Sequence, residues 1–293
     1  MLPMGAPKTA LLTVAALGIA GVAAGALVVY GGLYDVAATQ QHFQPVYSLL
    51  ETAMRQSVKM RARNIEPPRL DDERLVMRGA ACFRDKCVQC HGAPGVAKGD
   101  IGKSTQPLPG ALVDVRHHWK PRELYWLTKH GIRMSGMPAW EFRLSEEDLW
   151  SVVAFMARLP ELTPQQYAEA TRVEPTGAQG AQGAPARPAC GPADGAAPLR
   201  AADAQRGARA LPQYACSACH TIPGITSSSP NVGPPLAGMG GRSLIAGKLA
   251  NTPDNMVRWL RHTHEVDPLT AMPQMSVSEQ DARDIAAYLA ALR

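Results

Sequence analysis

This chain lacks a large excess of either charge: its 293 residues include 30 lysines and arginines against 25 aspartates and glutamates. Residues 1–70 hold six basic and three acidic side chains, and in every later segment the two signs balance to within one charge. Proteins that bind nucleic acid usually concentrate basic residues on one surface. The composition therefore gives no support to a nucleic-acid partner.

The sequence also lacks the strict alternation of apolar and polar residues that predicts a half-buried strand. Two similar terminal helices are predicted after Ser145 and Ser278, each with an acidic residue three positions later, as in a capping box. Pro121 and Pro253 stand at the first position of two further predicted helices. The pattern predicts an all-α chain with two similar helical halves.

Charged side chains are absent from Thr9 to Tyr34. About 20 apolar residues at about 1.5 Å per residue can cross a hydrocarbon core of roughly 30 Å. The alternative is a cleaved signal peptide, whose apolar region usually has only about 7–15 residues. We expect a retained N-terminal transmembrane helix. Helical apolar spacing over Pro45–Arg61 then predicts an amphipathic helix that either packs on the first domain or lies on the bilayer.

Large apolar side chains are nearly absent between Glu174 and Pro198, where glycine, proline and alanine dominate. Such a segment has little to pack into a core, so it is predicted to be a flexible linker. The expected organisation is residues 1–34 as a membrane anchor, 35–70 as a juxtamembrane amphipathic helix and connector, 71–173 as a first domain, 174–200 as the linker and 201–293 as a second domain.

Cysteine is scarce, and four of the six cysteines fall in two copies of the pattern Cys-x-x-Cys-His. This pattern is the attachment signature of a c-type haem. The sequence has no further Cys or His pair at the spacing of a zinc site. The predicted covalent attachment residues are Cys87, Cys90, Cys216 and Cys219, and the predicted proximal iron ligands are His91 and His220.

Each half offers two methionines as candidates for the sixth iron ligand: Met134 and Met137 in the first, and Met272 and Met275 in the second. We predict Met137 and Met272, because each precedes a proline that stiffens its loop; Met275 stays an alternative in the second half. A thioether ligand raises the reduction potential of a haem, and a six-coordinate haem exchanges electrons without binding a substrate.

Six other histidines compete for iron but are interpreted as surface or loop residues; they are His42, His117, His118, His130, His262 and His264. Two cysteines lie outside the haem motifs. Cys82 is predicted to be a small buried residue on the first helix of its domain. Cys190 lies in the linker, and a disulfide between the two is the less favoured alternative.

These motifs resemble those of class I cytochrome c domains, and the chain as a whole is similar to the membrane-anchored dihaem cytochromes c that accompany bacterial terminal oxidases. The resemblance rests on the two haem motifs and on residues 136–140, 251–260 and 271–273. It implies two covalently bound haems c. It also implies that the first and last helices of each domain cross, with Gly79 and Phe83 against Phe155, and Gly207 and Leu211 against Tyr288.

The resemblance further implies a proline whose carbonyl accepts the Nδ1–H of the proximal histidine, which holds the imidazole and tunes its basicity. In the second half, Gly233-Pro234-Pro235-Leu236 fits this pattern, so Pro234 is expected to have this role. The first half departs from the pattern, and Pro109 is chosen there.

The expected function is transfer of single electrons from a quinol-oxidising complex or a dehydrogenase to a terminal acceptor such as an oxidase. The expected partners are redox proteins, with no small-molecule substrate and no nucleic acid. Because c-type haems are attached outside the bacterial cytoplasm, the haem domains are expected in the periplasm, tethered to the inner membrane. The alternative is a dihaem peroxidase, which would need one haem with an open sixth position.

Overall fold

In a computed structural model of the chain, residues 5–172, 190, 199–227 and 232–293 are described. The chain forms two compact units, Met1–Ala196 and Ala197–Arg293. The flexible linker predicted over residues 174–200 lies outside the described residues, except for Cys190, Leu199 and Arg200.

The regular secondary structure in the described part of the first unit consists of helices joined by loops. Its α-helices are α1 (Ala6–Tyr30), α2 (Gln44–Ala62), α3 (Glu73–Lys86), α4 (Val88–His91), α5 (Asp100–Ser104), α6 (Val115–His118), α7 (Pro121–His130), α8 (Glu146–Arg158) and α9 (Pro164–Ala170). Short 3-10 turns occupy Trp140–Phe142 and Leu159–Glu161. The predicted proline at the first position of α7 is confirmed.

The core of the first unit forms where α3 crosses α8. A Cβ atom added to Gly79 would lie 1.9 Å from the carbonyl oxygen of Ser151, so only glycine allows the two backbones to approach this closely. Below this crossing the rings of Phe83 and Phe155 pack with their centroids 5.4 Å apart, and Tyr167 of α9 joins them. The structure therefore brings together the three residues that the resemblance paired.

Helix α2 packs against α7 of the same unit. Its residues Val58 and Ala62 are almost completely buried, and the guanidinium of Arg55 lies 5.1 Å from the ring centroid of Trp119. Of the two placements left open by the sequence, packing on the first domain is thus present in the structure.

The second unit repeats the crossing with fewer elements. Its elements are α10 (Ala204–Gln213), β1 (Leu244–Ile245), β2 (Leu249–Ala250), α11 (Pro253–Arg261), α12 (Thr263–Val266) and α13 (Glu279–Ala291), with 3-10 turns at Cys216–Ala218 and Met239–Gly241. A Cβ on Gly207 would lie 2.0 Å from the carbonyl oxygen of Asp284, so α10 and α13 also meet at a glycine. The antiparallel pair β1–β2 was not expected, because strands of two residues are too short to show alternation.

The two terminal helices begin in different ways. At α8 the capping box is complete, since Ser145 Oγ accepts from the Asp148 amide at 3.1 Å and the Asp148 carboxylate accepts from the Ser145 amide at 3.2 Å. At α13 Ser278 accepts from the Asp281 amide at 3.2 Å, but the Asp281 carboxylate accepts from the hydroxyl of Tyr214 at 2.6 Å instead. A tertiary contact has therefore replaced half of the predicted box.

Cys82 and Cys190 form a disulfide bond. The disulfide, which the sequence left as the less favoured alternative, is therefore present, while the predicted burial of Cys82 is confirmed. Cys82 is completely buried beside the α3–α8 crossing, and Cys190 packs on the same core. Contact across a sequence separation of 108 residues leaves no local pattern that sequence analysis can detect.

Candidate functional site

Each Cys-x-x-Cys-His motif folds into one tight helical turn. The backbone amide of His91 donates to the carbonyl of Cys87 at 3.0 Å, and the amide of His220 donates to the carbonyl of Cys216 at the same distance. The two cysteines and the histidine of each motif therefore lie on a single turn of backbone. The first turn is α4, and the second is the 3-10 turn Cys216–Ala218.

The proximal imidazoles are both held through Nδ1 by a backbone carbonyl. His220 Nδ1 lies 2.8 Å from the oxygen of Pro234, the residue that the resemblance implies. His91 Nδ1 lies 2.7 Å from the oxygen of Gly110, one residue after the expected Pro109. The Pro109 carbonyl accepts from Lys98 Nζ instead. In both halves Nδ1 is occupied, which leaves Nε2 as the ring nitrogen that can bind iron.

Glycines let the backbone pass close to both motifs. A Cβ on Gly102 would lie 2.5 Å from the carbonyl oxygen of Cys90, and a Cβ on Gly233 would lie 2.5 Å from Cε1 of the His220 ring. The Gly233 amide donates to the Cys219 carbonyl at 2.7 Å. In the second unit this close approach places the His220 ring against its own loop, and in the first unit it places α5 against the backbone of Cys90.

Burial raises the pKa of the Cys87 thiol to about 12, with the neighbouring Cys90 adding to the shift. Burial also raises the pKa of Cys216. Cysteines of a redox dithiol have lowered pKa values, because the thiolate is the reactive form. The shifts at these two cysteines are in the opposite direction, which disfavours a redox dithiol and agrees with sulfur atoms that serve as covalent attachment points.

Each Met-Pro loop contains the same kind of internal hydrogen bond. The amide of Met137 donates to Ser135 Oγ at 3.2 Å, and the amide of Met272 donates to Thr270 Oγ1 at 3.2 Å. Sequence analysis missed Ser135 and Thr270, although a hydroxyl residue two positions before each Met-Pro is visible in the sequence.

The competing methionines lie farther from the cores. Met134 is 94% exposed, whereas Met137 is only partly exposed. In the second unit Met272 packs against the hydrophobic core, and Met275 is 36% exposed. In each pair, the methionine preceding the proline is therefore the less exposed of the two.

The other histidines are on the surface and most have acidic or hydroxyl partners. His117 and His118 both face Asp114, and His262 Nδ1 lies 3.1 Å from Glu265. His42 is bonded to Tyr34, His130 lies beside Glu141, and His264 is exposed.

Within the described residues no group of three or more His, Cys, Asp or Glu side chains is arranged to hold a metal ion. The donor set of each motif nevertheless fits a haem c: two thiols on one turn, an imidazole whose Nδ1 is already bonded, and a loop methionine. Such a haem would be held by Cys87, Cys90 and His91 in the first unit and by Cys216, Cys219 and His220 in the second.

Comparison with known families divides the chain at the same place. Residues 74–156 match the family described as cytochrome c oxidase, cbb3-type, subunit III, and residues 204–293 match the cytochrome c family.

Among curated proteins the chain is similar to cytochrome c oxidase subunit 2 of Alkalihalophilus pseudofirmus, with 30% identity over 91 residues. That stretch is 31% of this chain, and it spans only about a quarter of the relative, at 26% of its length. A chain of the reducing HAO-like protein complex of Kuenenia stuttgartiensis aligns over 78% of this chain and 99% of its own length, at 17% identity. Its TM-score of 0.27 is too low to support an argument.

The family matches agree with the two haem motifs, the two helix crossings and the paired histidine contacts. Cytochrome c domains bind haem and transfer electrons, which is the function they imply here. The chain is therefore a c-type cytochrome with two cytochrome c domains, and it is similar to the cytochrome c domains of oxidase subunits.

Proposed function

We propose that this cytochrome is a membrane-anchored electron carrier with two covalently bound haems c, each ligated by a histidine and a methionine. Single electrons pass through it from a quinol-oxidising complex or a dehydrogenase to a terminal acceptor such as an oxidase. It acts either alone or as the electron-transfer subunit of such a complex. The haem domains lie in the periplasm.

The observation that carries this proposal is the repetition of one arrangement in both units. In each unit a backbone carbonyl holds the proximal imidazole, and a hydroxyl fixes the loop of a methionine that precedes proline. When bound, haem iron supplies one-electron redox chemistry, and the protein supplies its ligands. A haem with a histidine on one face and a methionine on the other would favour electron transfer over peroxide chemistry.

The anchor is supported by α1. Its Pro7–Tyr30 stretch is long and apolar enough to cross a membrane, and its apolar side chains are exposed in the structure. The oxidase-linked family match of the first domain supports a respiratory setting for the carrier.

Replacement of each proposed axial methionine tests the carrier. In the ferric protein, Met137→Ala and Met272→Ala should each remove about half of the weak long-wavelength band that reports sulfur ligation, because one of two Fe–S bonds is lost in each variant. The reduction potential of the affected haem should fall, which a spectroscopic redox titration would measure.

The chain provides matched controls for this experiment. Met134→Ala and Met275→Ala remove nearby methionines that are more exposed, and both should leave the band unchanged. Loss of the band in Met275→Ala, with no loss in Met272→Ala, would reassign the second ligand. Turnover of peroxide by the purified, partly reduced wild type would contradict the carrier itself.

A further inference from the structure

Helix α2 has two apolar faces, and among the described residues only one of them has a partner. We call Met54, Val58 and Ala62 the inner face, which packs towards the first domain. The outer face consists of Val46, Leu49, Leu50, Ala53 and Met60. At 100° per residue the two faces are centred about 130° apart around the helix axis.

The outer face is open to solvent within the described part of the chain. Leu49 is 69% exposed, Leu50 52% and Met60 63%. Polar side chains border it, with Gln56 on one side and Arg61 on the other. An apolar stripe with a polar border, here interrupted at Ser57, marks a surface that is normally covered.

The chain itself places this helix beside the end of α1. The connector 31–43 folds back, because the hydroxyl of Tyr34 is hydrogen-bonded to Nδ1 of His42. The two rings also stack, with their centroids 6.0 Å apart. Helix α2 begins two residues after His42. If α1 crosses the membrane, α2 therefore starts at the membrane surface.

The residues around this junction have the composition of a membrane interface. Aromatic rings cluster there and are exposed: Tyr30, Tyr34, Phe43 and Tyr47. Tyrosine and other aromatic side chains are enriched where a span meets water, and an amphipathic helix with such a face lies in the interfacial plane. A second copy of the chain or a helix of another protein would not require this aromatic cluster at the end of the span.

We infer that the outer face of α2 lies in the interfacial layer of the membrane that α1 crosses. Helix α2 is then held between the bilayer on one face and the first domain on the other. This inference rests on the membrane anchor of the proposed function. It implies that the first haem domain is seated on the membrane surface through α2, and that α1 is not its sole attachment.

A fluorescent label on each side of α2 tests this placement in the full-length holoprotein. The variants are Leu50→Cys on the outer face and Thr52→Cys, the control on the polar side. With four cysteines bound to haem and two in the disulfide, the introduced thiol is the single reactive one. Each variant is labelled with NBD and reconstituted into vesicles of phosphatidylcholine and phosphatidylglycerol, with or without nitroxide-labelled lipid.

We expect the Leu50 label to shift to shorter emission wavelength and to lose most of its emission to the lipid-borne nitroxide, with little change at Thr52. A water-like label at Leu50 would overturn the inference. A label that is shielded from water but not quenched by lipid would also overturn it, because protein would then cover the face. An Ala53→Cys variant repeats the measurement if Leu50→Cys does not fold.

The anchor is measured separately. After an alkaline wash, the wild-type chain should stay with sedimented membranes. If it does so while the outer-face labels remain in water, only the placement of α2 is wrong. If the chain is released, the proposed anchor fails and the inference fails with it.

Discussion

The first unit surrounds its helix crossing with supports that the described part of the second unit does not have. Helix α2 packs on α7, Tyr167 of α9 enters the aromatic core, and the disulfide joins α3 to Cys190. In the second unit the α10–α13 pair is contacted by α11 and by the turn Met239–Gly241. A hydrogen bond between histidine Nδ1 and a backbone carbonyl is nevertheless present in both haem motifs, so this contact does not require the additional supports.

Buried ion pairs show the same contrast. In each unit an arginine directly before the crossing glycine binds a buried aspartate: Arg78 with Asp148 at 2.6 Å, and Arg206 with Asp284 at 2.8 Å. The aspartates occupy different positions along their helices, because Asp148 belongs to the cap of α8 whereas Asp284 lies one turn further into α13. The two domains thus use the same arginine position but different aspartate positions to neutralise a buried carboxylate. Each ion pair can be removed by a substitution in its own domain.

Removal of the disulfide should break this comparison most strongly. The double variant Cys82→Ala/Cys190→Ser opens a cross-link with a sequence separation of 108 residues, and loop entropy gives a loss of at most about 5 kcal/mol in the free energy of unfolding. Hydrogen exchange in denaturant, followed on peptides of each half, should show the loss in the first half only. Equal protection of the first half in variant and wild type would refute a stabilising role.

Alanine at the crossing glycines should destabilise either half separately. In Gly79→Ala or Gly207→Ala the new Cβ meets a carbonyl oxygen at about 2 Å, so the helices must separate, at a cost of about 1–3 kcal/mol or more. Thermal unfolding followed by haem absorbance checks this. Gly241→Ala is the control, since a Cβ at that position meets nothing within 4 Å, and this variant should unfold like the wild type.

The aspartate pairs should give a smaller, pH-dependent effect. Burial would raise the pKa of Asp148, but hydrogen bonds from Arg78 and Ser145 outweigh it and the pKa is lowered; at Asp284, Arg206 outweighs burial in the same way. A lowered folded-state pKa gives stability that is present above the unfolded value of 3.8 and is lost as pH falls through the folded pKa.

Asp148→Asn should therefore destabilise the first half near pH 7 by less than the ~3–5 kcal/mol of a fully buried pair, because Arg78 is partly exposed. The difference between the variant and the wild type should shrink only below pH 3.8, as the pH falls through the folded-state pKa of Asp148. Denaturant unfolding between pH 2 and pH 7 would measure this. A constant difference across that range would show that the carboxylate charge does not matter; Asp284→Asn serves as the matched test in the second half.

Local patterns predicted most of this fold, because capping residues and helical spacing act over a few positions. Ser145 and Pro121 follow from such signals, whereas the crossing at Gly79 and Phe155 was implied by the resemblance to class I cytochrome c domains. The carbonyl that accepts from His91 belongs to Gly110 rather than to the predicted Pro109. Local patterns could not predict this, because the position of that carbonyl depends on the path of a whole loop. Likewise the sequence predicted α2 without showing that it has two apolar faces with different surroundings.

The disulfide makes maturation different in the two halves. Cys82 stands just before Cys87 and Cys90, and a wrong bond to either would occupy a sulfur that haem attachment needs. Its correct partner, Cys190, is synthesised only after the whole first domain. The second unit contains no third cysteine. If haem is attached as proposed, attachment at the first motif would have to occur before Cys82 forms a bond to Cys87 or Cys90, whereas the second motif has no neighbouring cysteine to compete for its sulfurs.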